Sequence, residues 1–235
     1  MTSTSTNPKR AGWVEARDRH LPLLLAHRGA RRSAPENTLQ AFDRALRHGC
    51  DGFEFDVQRT ADGAPLICHD PKFQDHVVHK TKLADFVGAL TLPDVVSRYA
   101  SNAFLNIELK VSGLEEVTIQ AITATPPARG FLVSSFLPEV LQRMIELAPH
   151  VQLGLICESK KQLKHWPKVS CSAIIAKTSL VDEELRASTQ EAGKQLMVWT
   201  VNDSGEMLRF AAMGVDAVVS DETRLLVDTL RPKIS

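Results

Sequence analysis

The chain has 235 residues, 43% of them hydrophobic and 24% charged, a composition that fits a globular protein and excludes disordered, collagen-like and low-complexity sequences. Lys and Arg together number 28, as do Asp and Glu, so the formal net charge is zero. Because no global field attracts nucleic acid or an anionic membrane, any anion must be bound by a local cluster of basic side chains.

The start of the chain and the cysteines indicate the cellular setting. Residues 1–20 are rich in Ser and Thr and then charged, and they contain no apolar segment typical of a signal peptide. We expect them to form a loose lead-in to one domain over residues 21–235. The four cysteines show no CxxC pair and no zinc-ligand spacing, which favours buried, reduced thiols. We therefore expect a cytoplasmic protein with no stable membrane anchor and no nucleic-acid partner.

Apolar runs of strand length alternate along the chain with segments of helical period. The strands are expected at Leu21–Ala26, Gly52–Arg59, Phe104–Lys110, Phe131–Phe136, Val151–Cys157, Ala173–Ala176, Gln195–Val201 and Ala217–Val219, with a short extra strand at Pro65–Cys68. The helices are expected from a cap at Asn37 or Thr38 to Gly49, at Leu83–Gly88, Leu92–Tyr99, Leu114–Ala124 and Pro138–Leu147, from Lys160 onward, and at Asp182–Ala192, Gly205–Ala212 and Glu222–Leu230.

This alternation predicts the fold class. Eight strand–helix units in one chain of this length favour a single-domain (β/α)8 TIM barrel, with a shortened insertion after the second strand. Right-handed crossovers return the chain to parallel strands. An open doubly wound sheet is the alternative, but no glycine-rich phosphate-binding turn follows the first strand. In a barrel, functional side chains are expected at the C-terminal ends of the strands.

Carboxylates occupy positions where a barrel normally places aliphatic residues. Side chains alternate across a strand, so Glu54 and Asp56 share one face of the second strand, and Glu108 and Lys110 share one face of the third. Two neighbouring strands thus direct three carboxylates into one space, where buried negative charge requires a positive partner. One divalent cation, Mg²⁺ or Ca²⁺, suits these oxygen ligands. A buried ion-pair network with Arg28 and Lys110 is the alternative.

Two histidines end strands that open on the same mouth. His27 ends the first strand and His69 follows the extra strand. Because the pKa of histidine lies nearest neutrality, such a pair can divide the roles of general acid and general base. Arg28 adds a planar fork suited to phosphate oxygens, and Lys110 adds a second positive charge. Together these side chains indicate phosphoryl chemistry.

The order of these residues along the chain resembles the glycerophosphodiester phosphodiesterase family. The resemblance extends from the first strand to the last, over nearly the whole chain. The matching motifs are His27-Arg28-Gly29-Ala30, Pro35-Glu36-Asn37-Thr38, Glu54-x-Asp56-Val57, Thr60-x-Asp62-Gly63, His69-Asp70, Asn106-Ile107-Glu108-Leu109-Lys110, Ser134-Ser135-Phe136, Trp199-Thr200-Val201-Asn202 and Ser220-Asp221.

The resemblance implies a TIM barrel that uses a divalent cation to hydrolyse glycerophosphodiesters to sn-glycerol 3-phosphate and an alcohol. By position it implies metal ligands at Glu54, Asp56 and Glu108, an acid/base pair at His27 and His69, phosphate contacts at Arg28 and Lys110, and a wall of the glycerol pocket at Trp199. Simple barrel packing is the alternative for Trp199. The segment from His69 to Glu108 is shorter than the family's usual insertion, which leaves the preferred alcohol open.

Two other functions are compatible with the same residues. One is a phosphodiesterase of the lysophospholipase D type, which would need an apolar groove or a membrane-docking surface. The other is a non-catalytic barrel that binds phosphate ligands. The intact set of histidines and carboxylates argues against a non-catalytic barrel.

Overall fold

The computed structural model describes residues 21–164 and 166–231, so the expected lead-in over residues 1–20 lies outside the described residues. The strands are β1 (Leu23–His27), β2 (Gly52–Arg59), β3 (Pro65–Ile67), β4 (Lys72–Phe73), β5 (His76–Val77), β6 (Phe104–Leu109), β7 (Phe131–Ser135), β8 (Leu153–Cys157), β9 (Ala173–Lys177), β10 (Gln195–Trp199) and β11 (Ala217–Ser220). The helices are α1 (Leu39–His48), α2 (Leu92–Tyr99), α3 (Glu115–Ala124), α4 (Pro138–Leu147), α5 (Lys160–Leu163), α6 (Glu183–Glu191), α7 (Ser204–Met213) and α8 (Thr223–Leu230).

Eight parallel strands close into a barrel. Around the ring the order is β1, β11, β10, β9, β8, β7, β6 and β2, and β2 pairs again with β1. The closing register places Leu25 opposite Gly52 on one side of β1 and Leu23 opposite Ala217 on the other. The predicted TIM barrel is therefore confirmed, and the open doubly wound sheet is wrong because the ring closes, so that each of the eight parallel strands has a partner on both edges.

Alternation along β2 separates the hydrophobic core from the mouth of the barrel. Phe53 and Phe55 face the helices, where the ring of Phe53 stacks on Phe42 of α1 with the centroids 4.2 Å apart. Glu54 and Asp56 therefore point to the inside of the barrel. Aliphatic side chains of other strands, including Leu25, fill the interior below them.

Strand β3 returns antiparallel along the upper part of β2. Ile67 lies opposite Val57, and the Cys68 N–H donates to the carbonyl of Asp56 over 3.2 Å. This hairpin brings the next residue, His69, back from beyond the barrel to the level of the mouth. The insertion that follows contains the small β4–β5 hairpin, whose turn at Gln74 and Asp75 has positive φ angles.

The insertion departs from the sequence prediction at one segment. Leu83–Gly88 was expected to be helical, but only one 3-10 turn forms there, at Leu83–Asp85. The side-chain amide of Gln74 binds both backbone groups of Val87, donating to its carbonyl over 2.7 Å and accepting from its N–H over 2.9 Å. The prediction was wrong because Gln74 takes the Val87 N–H, which a helix over this segment would direct to the carbonyl of Leu83.

Thr38, and not Asn37, is the N-terminal cap of α1. The Thr38 hydroxyl accepts a hydrogen bond from the Ala41 N–H over 3.2 Å, and Gly49 ends the helix with a left-handed backbone. Asn37, the other expected cap, points to Asp56 instead. The remaining predicted elements are present, with ends that differ by one or two residues in most cases.

Two further expectations concern the cysteines and membrane insertion. All four cysteines carry free thiols, and Cys50, Cys68 and Cys157 are buried. In the described part of the chain, no helix is both long enough and apolar enough to cross a bilayer.

An ion pair connects the residue after α8 with the residue that precedes β2. Arg231, which follows α8, contacts the buried carboxylate of Asp51 through two nitrogens, at 2.9 and 2.6 Å. The same carboxylate accepts a hydrogen bond from the Leu24 N–H over 2.9 Å. The contact therefore links the last helix to β1 and to the residue that precedes β2.

We expect Arg231→Ala to lower the free energy of unfolding by about 2–4 kcal/mol, because it removes two charge-assisted hydrogen bonds from a buried carboxylate. Thermal or urea unfolding measures the effect. The matched control is Arg224→Ala on α8, whose contact with Asp228 is exposed at the surface and should contribute little. Equal losses in the two variants would contradict the role assigned to Arg231.

Candidate active site

A cavity of about 330 Å³ opens at the C-terminal ends of the barrel strands. Asp56 lies next to this cavity and is fully buried. The other predicted site residues line the cavity itself: His27, Arg28, Glu54, His69, Glu108, Lys110 and Trp199. The fold thus brings together side chains that are far apart in the sequence.

Three buried carboxylates converge beside this cavity. Asp56 of β2 lies opposite Glu108 of β6 in the strand register, and Glu54 precedes Asp56 by two residues on the same face. One oxygen of each carboxylate lies within 4.8 Å of the others. We call Glu54, Asp56 and Glu108 the acidic triad.

Two basic side chains partly compensate the acidic triad. Arg28 Nε lies 3.2 Å from Asp56 Oδ2, and Lys110 Nζ lies 3.3 Å from Asp56 Oδ1 and 2.6 Å from Glu108 Oε1. The ion-pair network considered as an alternative therefore exists. It is incomplete, because Glu54 Oε1 is buried and has no hydrogen-bond partner among residues 21–164 and 166–231.

The electrostatics of the acidic triad show the same excess of negative charge. Burial and the charges of Asp56 and Glu108 raise the pKa of Glu54 well above its usual value. Burial and Asp56 also raise the pKa of Glu108 to about 7, although Lys110 opposes the shift. A cluster that offers only oxygen atoms and carries excess negative charge fits a hard divalent cation, so the residues present suit such an ion.

The loop after β1 holds the carboxylates in place. Arg28 and Asn37 both have positive φ angles, 56° and 57°, a conformation that non-glycine residues rarely adopt. In this conformation the Arg28 N–H donates to Glu54 Oε2 over 3.0 Å. The Asn37 side chain donates to Asp56 Oδ2 over 2.8 Å and accepts from the Asp56 N–H over 3.2 Å. Asn37 therefore positions Asp56, a role that the sequence analysis missed.

His27 is oriented by a carboxylate from the other end of the chain. Its Nδ1 lies 2.8 Å from Asp221 Oδ1, and Asn202 donates to Asp221 Oδ2 over 2.8 Å. Burial disfavours the charge on Asp221, but the hydrogen bonds from His27 and Asn202 outweigh burial and lower the pKa of Asp221 to about 2. An ionised Asp221 accepts a proton-bearing Nδ1, so Nε2 of His27 is the nitrogen left for the cavity. This Nε2 lies 4.0 Å from Glu54 Oε2.

His69 lies on the more open side of the cavity. Its Nδ1 lies 2.7 Å from Asp70 Oδ1, and its backbone carbonyl accepts from the Gln58 side chain over 3.1 Å. The His69 side chain is 32% exposed, whereas that of His27 is 11% exposed. The two histidines therefore have the same carboxylate contact at Nδ1 but differ in their access to solvent.

Trp199 combines packing with a place in the wall of the cavity. Its ring meets the edge of Phe136 with the centroids 5.7 Å apart, and its Nε1 donates to the carbonyl of Ile175 over 3.3 Å. Phe136 and Glu158 also line the cavity, although the sequence analysis gave neither a role. The alternation Ile156, x, Glu158 at the end of β8 is the signal that could have identified Glu158.

The fold and the site define a TIM-barrel protein whose mouth holds a pair of histidines and a buried carboxylate cluster that suits a divalent cation. The chain belongs to the glycerophosphoryl diester phosphodiesterase family, whose family model matches residues 27–118 and 114–225. The family resemblance predicted from the motifs is thus confirmed.

Individual relatives cover most of the chain. A glycerophosphodiester phosphodiesterase of Caldanaerobacter subterraneus is 30% identical over an alignment of 237 positions, gaps included. The alignment covers 89% of this chain and 98% of that protein. An Oleispira antarctica phosphodiesterase, solved in complex with the product sn-glycerol-3-phosphate, is 28% identical with a TM-score of 0.79 and covers 89% of this chain and 96% of that one. The Thermotoga maritima glycerophosphodiester phosphodiesterase, at 22% identity, shares the fold with a TM-score of 0.78 over 89% of this chain and 98% of that one.

We expect Glu54→Gln to stabilise the chelator-treated protein by about 1–2 kcal/mol, because it removes a buried charge that lacks a hydrogen bond at one oxygen. Thermal unfolding in chelator measures the change. Glu36→Gln is the matched control, since Glu36 pairs with Arg28 and Arg31 at 3.0 and 2.8 Å and its neutralisation should not stabilise the fold. A lower unfolding temperature for Glu54→Gln would show that the acidic triad is already compensated.

Proposed function

We propose that this protein hydrolyses glycerophosphodiesters to sn-glycerol 3-phosphate and an alcohol, with the help of one divalent cation. The meeting of the acidic triad and two carboxylate-bound histidines at one cavity is the observation that carries the proposal. The names of the Caldanaerobacter and Oleispira relatives, and the product bound to the latter, support the same activity.

Glu54, Asp56 and Glu108 are the residues that would hold the cation, either Mg²⁺ or Ca²⁺. The unsatisfied Glu54 Oε1 and the raised pKa of Glu108 support this assignment. When bound, a divalent cation supplies Lewis-acid polarisation of phosphoryl oxygens and neutralises their charge.

Arg28 and Lys110 are the proposed phosphate contacts. They contact different oxygens of Asp56, Oδ2 and Oδ1, and both line the cavity. A phosphodiester beside Asp56 would therefore lie between two fixed positive charges, which stabilise the charge that develops in the transition state. Trp199 and Phe136 give this cavity an apolar wall against which the carbons of glycerol can pack.

The two histidines would move the protons. With Nδ1 of each ring held by a carboxylate, Nε2 is the atom available for proton transfer at His27 and at His69. One ring takes the proton of the nucleophile as the new P–O bond forms, and the other gives a proton to the alcohol oxygen as the old P–O bond breaks. We assign the acid role to His27. With water as the nucleophile these two transfers complete the hydrolysis. With the glycerol 2-hydroxyl as the nucleophile they give a cyclic phosphate, which water then opens to sn-glycerol 3-phosphate with the roles of the two histidines reversed.

We also propose that the protein works in the cytoplasm on a small-molecule substrate. The free thiols support a reducing compartment. The zero net charge fits a protein that does not bind nucleic acid or remain on an anionic membrane.

Purified protein should release sn-glycerol 3-phosphate from glycerophosphocholine and glycerophosphoethanolamine, as measured by an enzyme-coupled assay. Chelator should lower turnover by on the order of 10²-fold or more, and Mg²⁺ or Ca²⁺ should restore it. Lysophosphatidylcholine serves as the comparison substrate. Full activity of metal-free protein would refute the role of the acidic triad, and faster release of choline from lysophosphatidylcholine would favour the lysophospholipase D alternative.

His27→Ala and His69→Ala should each lower turnover of glycerophosphocholine by roughly 10²–10⁴-fold. A glycerol p-nitrophenyl phosphodiester has a leaving group that needs no proton, so it should rescue His27→Ala but not His69→Ala. Initial rates on both substrates test this, with the exposed His150→Ala as the control. Rescue of both variants or of neither would contradict the assignment of acid and base.

A further inference from the structure

Glu158 extends the inward-facing side of β8 into the mouth of the barrel. A side chain at Gly154 would come within 2.7 Å of the Ile175 side chain, so position 154 faces the crowded interior. Ile156, two residues later, belongs to the interior cluster, and both Ile156 and Glu158 line the catalytic cavity. The Glu158 N–H donates to the side chain of Gln162 over 3.0 Å, which fixes the backbone at this point.

Within the cavity, Glu158 lies on the wall opposite the end of β1. Strand β8 is four strands from β1 in both directions around the ring, so Glu158 stands opposite His27 and Arg28 across the mouth. Glu158 is exposed to solvent, and its carboxylate has no hydrogen bond or ion pair with any residue in the described ranges. Apolar side chains, including Ile175 and Trp199, line the space between the two sides.

We propose that Glu158 is a specificity-determining residue that accepts a hydrogen bond from the terminal hydroxyl of the substrate's glycerol. This inference rests on the proposed function. With the phosphodiester beside Asp56 and between Arg28 and Lys110, as proposed above, the glycerol chain can cross the apolar wall, and its terminal hydroxyl is the glycerol group farthest from phosphorus. On an apolar wall, a hydroxyl can donate a hydrogen bond only where the protein places an acceptor. The carboxylate of Glu158 is such an acceptor.

The same contact would select against acylated substrates. In a lysophospholipid acylated at the terminal position, that oxygen belongs to an ester and carries no proton. The carboxylate then faces lone pairs and loses water without gaining a hydrogen bond, which is an unfavourable exchange. Glu158 thus provides a physical reason for this site to prefer deacylated glycerophosphodiesters.

The test compares glycerophosphocholine with its 1-deoxy analogue, the phosphocholine diester of propane-1,2-diol, which keeps the 2-hydroxyl but lacks the terminal one. The wild type should prefer glycerophosphocholine by about tenfold or more in kcat/KM, the effect of one charge-assisted hydrogen bond. Glu158→Leu should lower kcat/KM for glycerophosphocholine by that same factor, mainly by raising KM. On the analogue, its kcat/KM should equal that of the wild type. Glu158→Gln, which retains a neutral acceptor, should fall between the two.

The analogue also shows whether each variant is folded, because hydrolysis at the wild-type rate requires an intact site. Glu191→Leu on α6, outside the cavity, is the matched control and should retain the wild-type preference. An unchanged preference in Glu158→Leu, or equal wild-type rates on the two diesters, would overturn the inference while leaving the proposed function intact. A wild type that hydrolyses neither diester would overturn the proposed function itself.

Discussion

The burial of three carboxylates on two neighbouring strands is the constraint on which the rest of the site depends. Strand pairing alone places Asp56 beside Glu108, and alternation adds Glu54 to the same space. Burial makes such a cluster costly, and Arg28 and Lys110 reduce that cost without removing it. The residual negative charge suits the acidic triad to a divalent cation, so the proposed function accounts for a cluster that burial alone would disfavour.

The surrounding backbone is shaped to hold this charge in place. The loop after β1 adopts positive φ angles at Arg28 and Asn37, and both residues then contact the acidic triad through backbone or amide groups. Closure of the barrel adds a second constraint, because it brings Asp221 to His27 from a position 194 residues later. The β2–β3 hairpin sets the position of His69 at the mouth, where the carboxylate of the next residue, Asp70, contacts its Nδ1. The fold therefore supplies the orienting carboxylate of His27, whereas the local sequence supplies that of His69.

The features that follow from a periodic sequence pattern could be predicted from the sequence. Alternation in β2 and β6 predicts the acidic triad, and the eight strand–helix units predict the barrel. Contacts between distant segments could not be predicted in this way. The sequence around Asn37 is typical of a helix cap. Its hydrogen bond to Asp56 depends on the folded barrel, which places β2 beside the loop after β1. The same applies to Gln74, whose contact with Val87 prevents the expected helix.

The most direct test of cation binding by the acidic triad is anomalous diffraction from crystals of the protein grown with Mn²⁺, a divalent ion that accepts oxygen ligands. We expect one strong anomalous peak within coordination distance of Glu54, Asp56 and Glu108, and we expect crystals of Asp56→Asn to lack it. Crystals with no peak at this position, or with Lys110 and Arg28 closing over the carboxylates in its place, would show that the acidic triad is a structural ion-pair network.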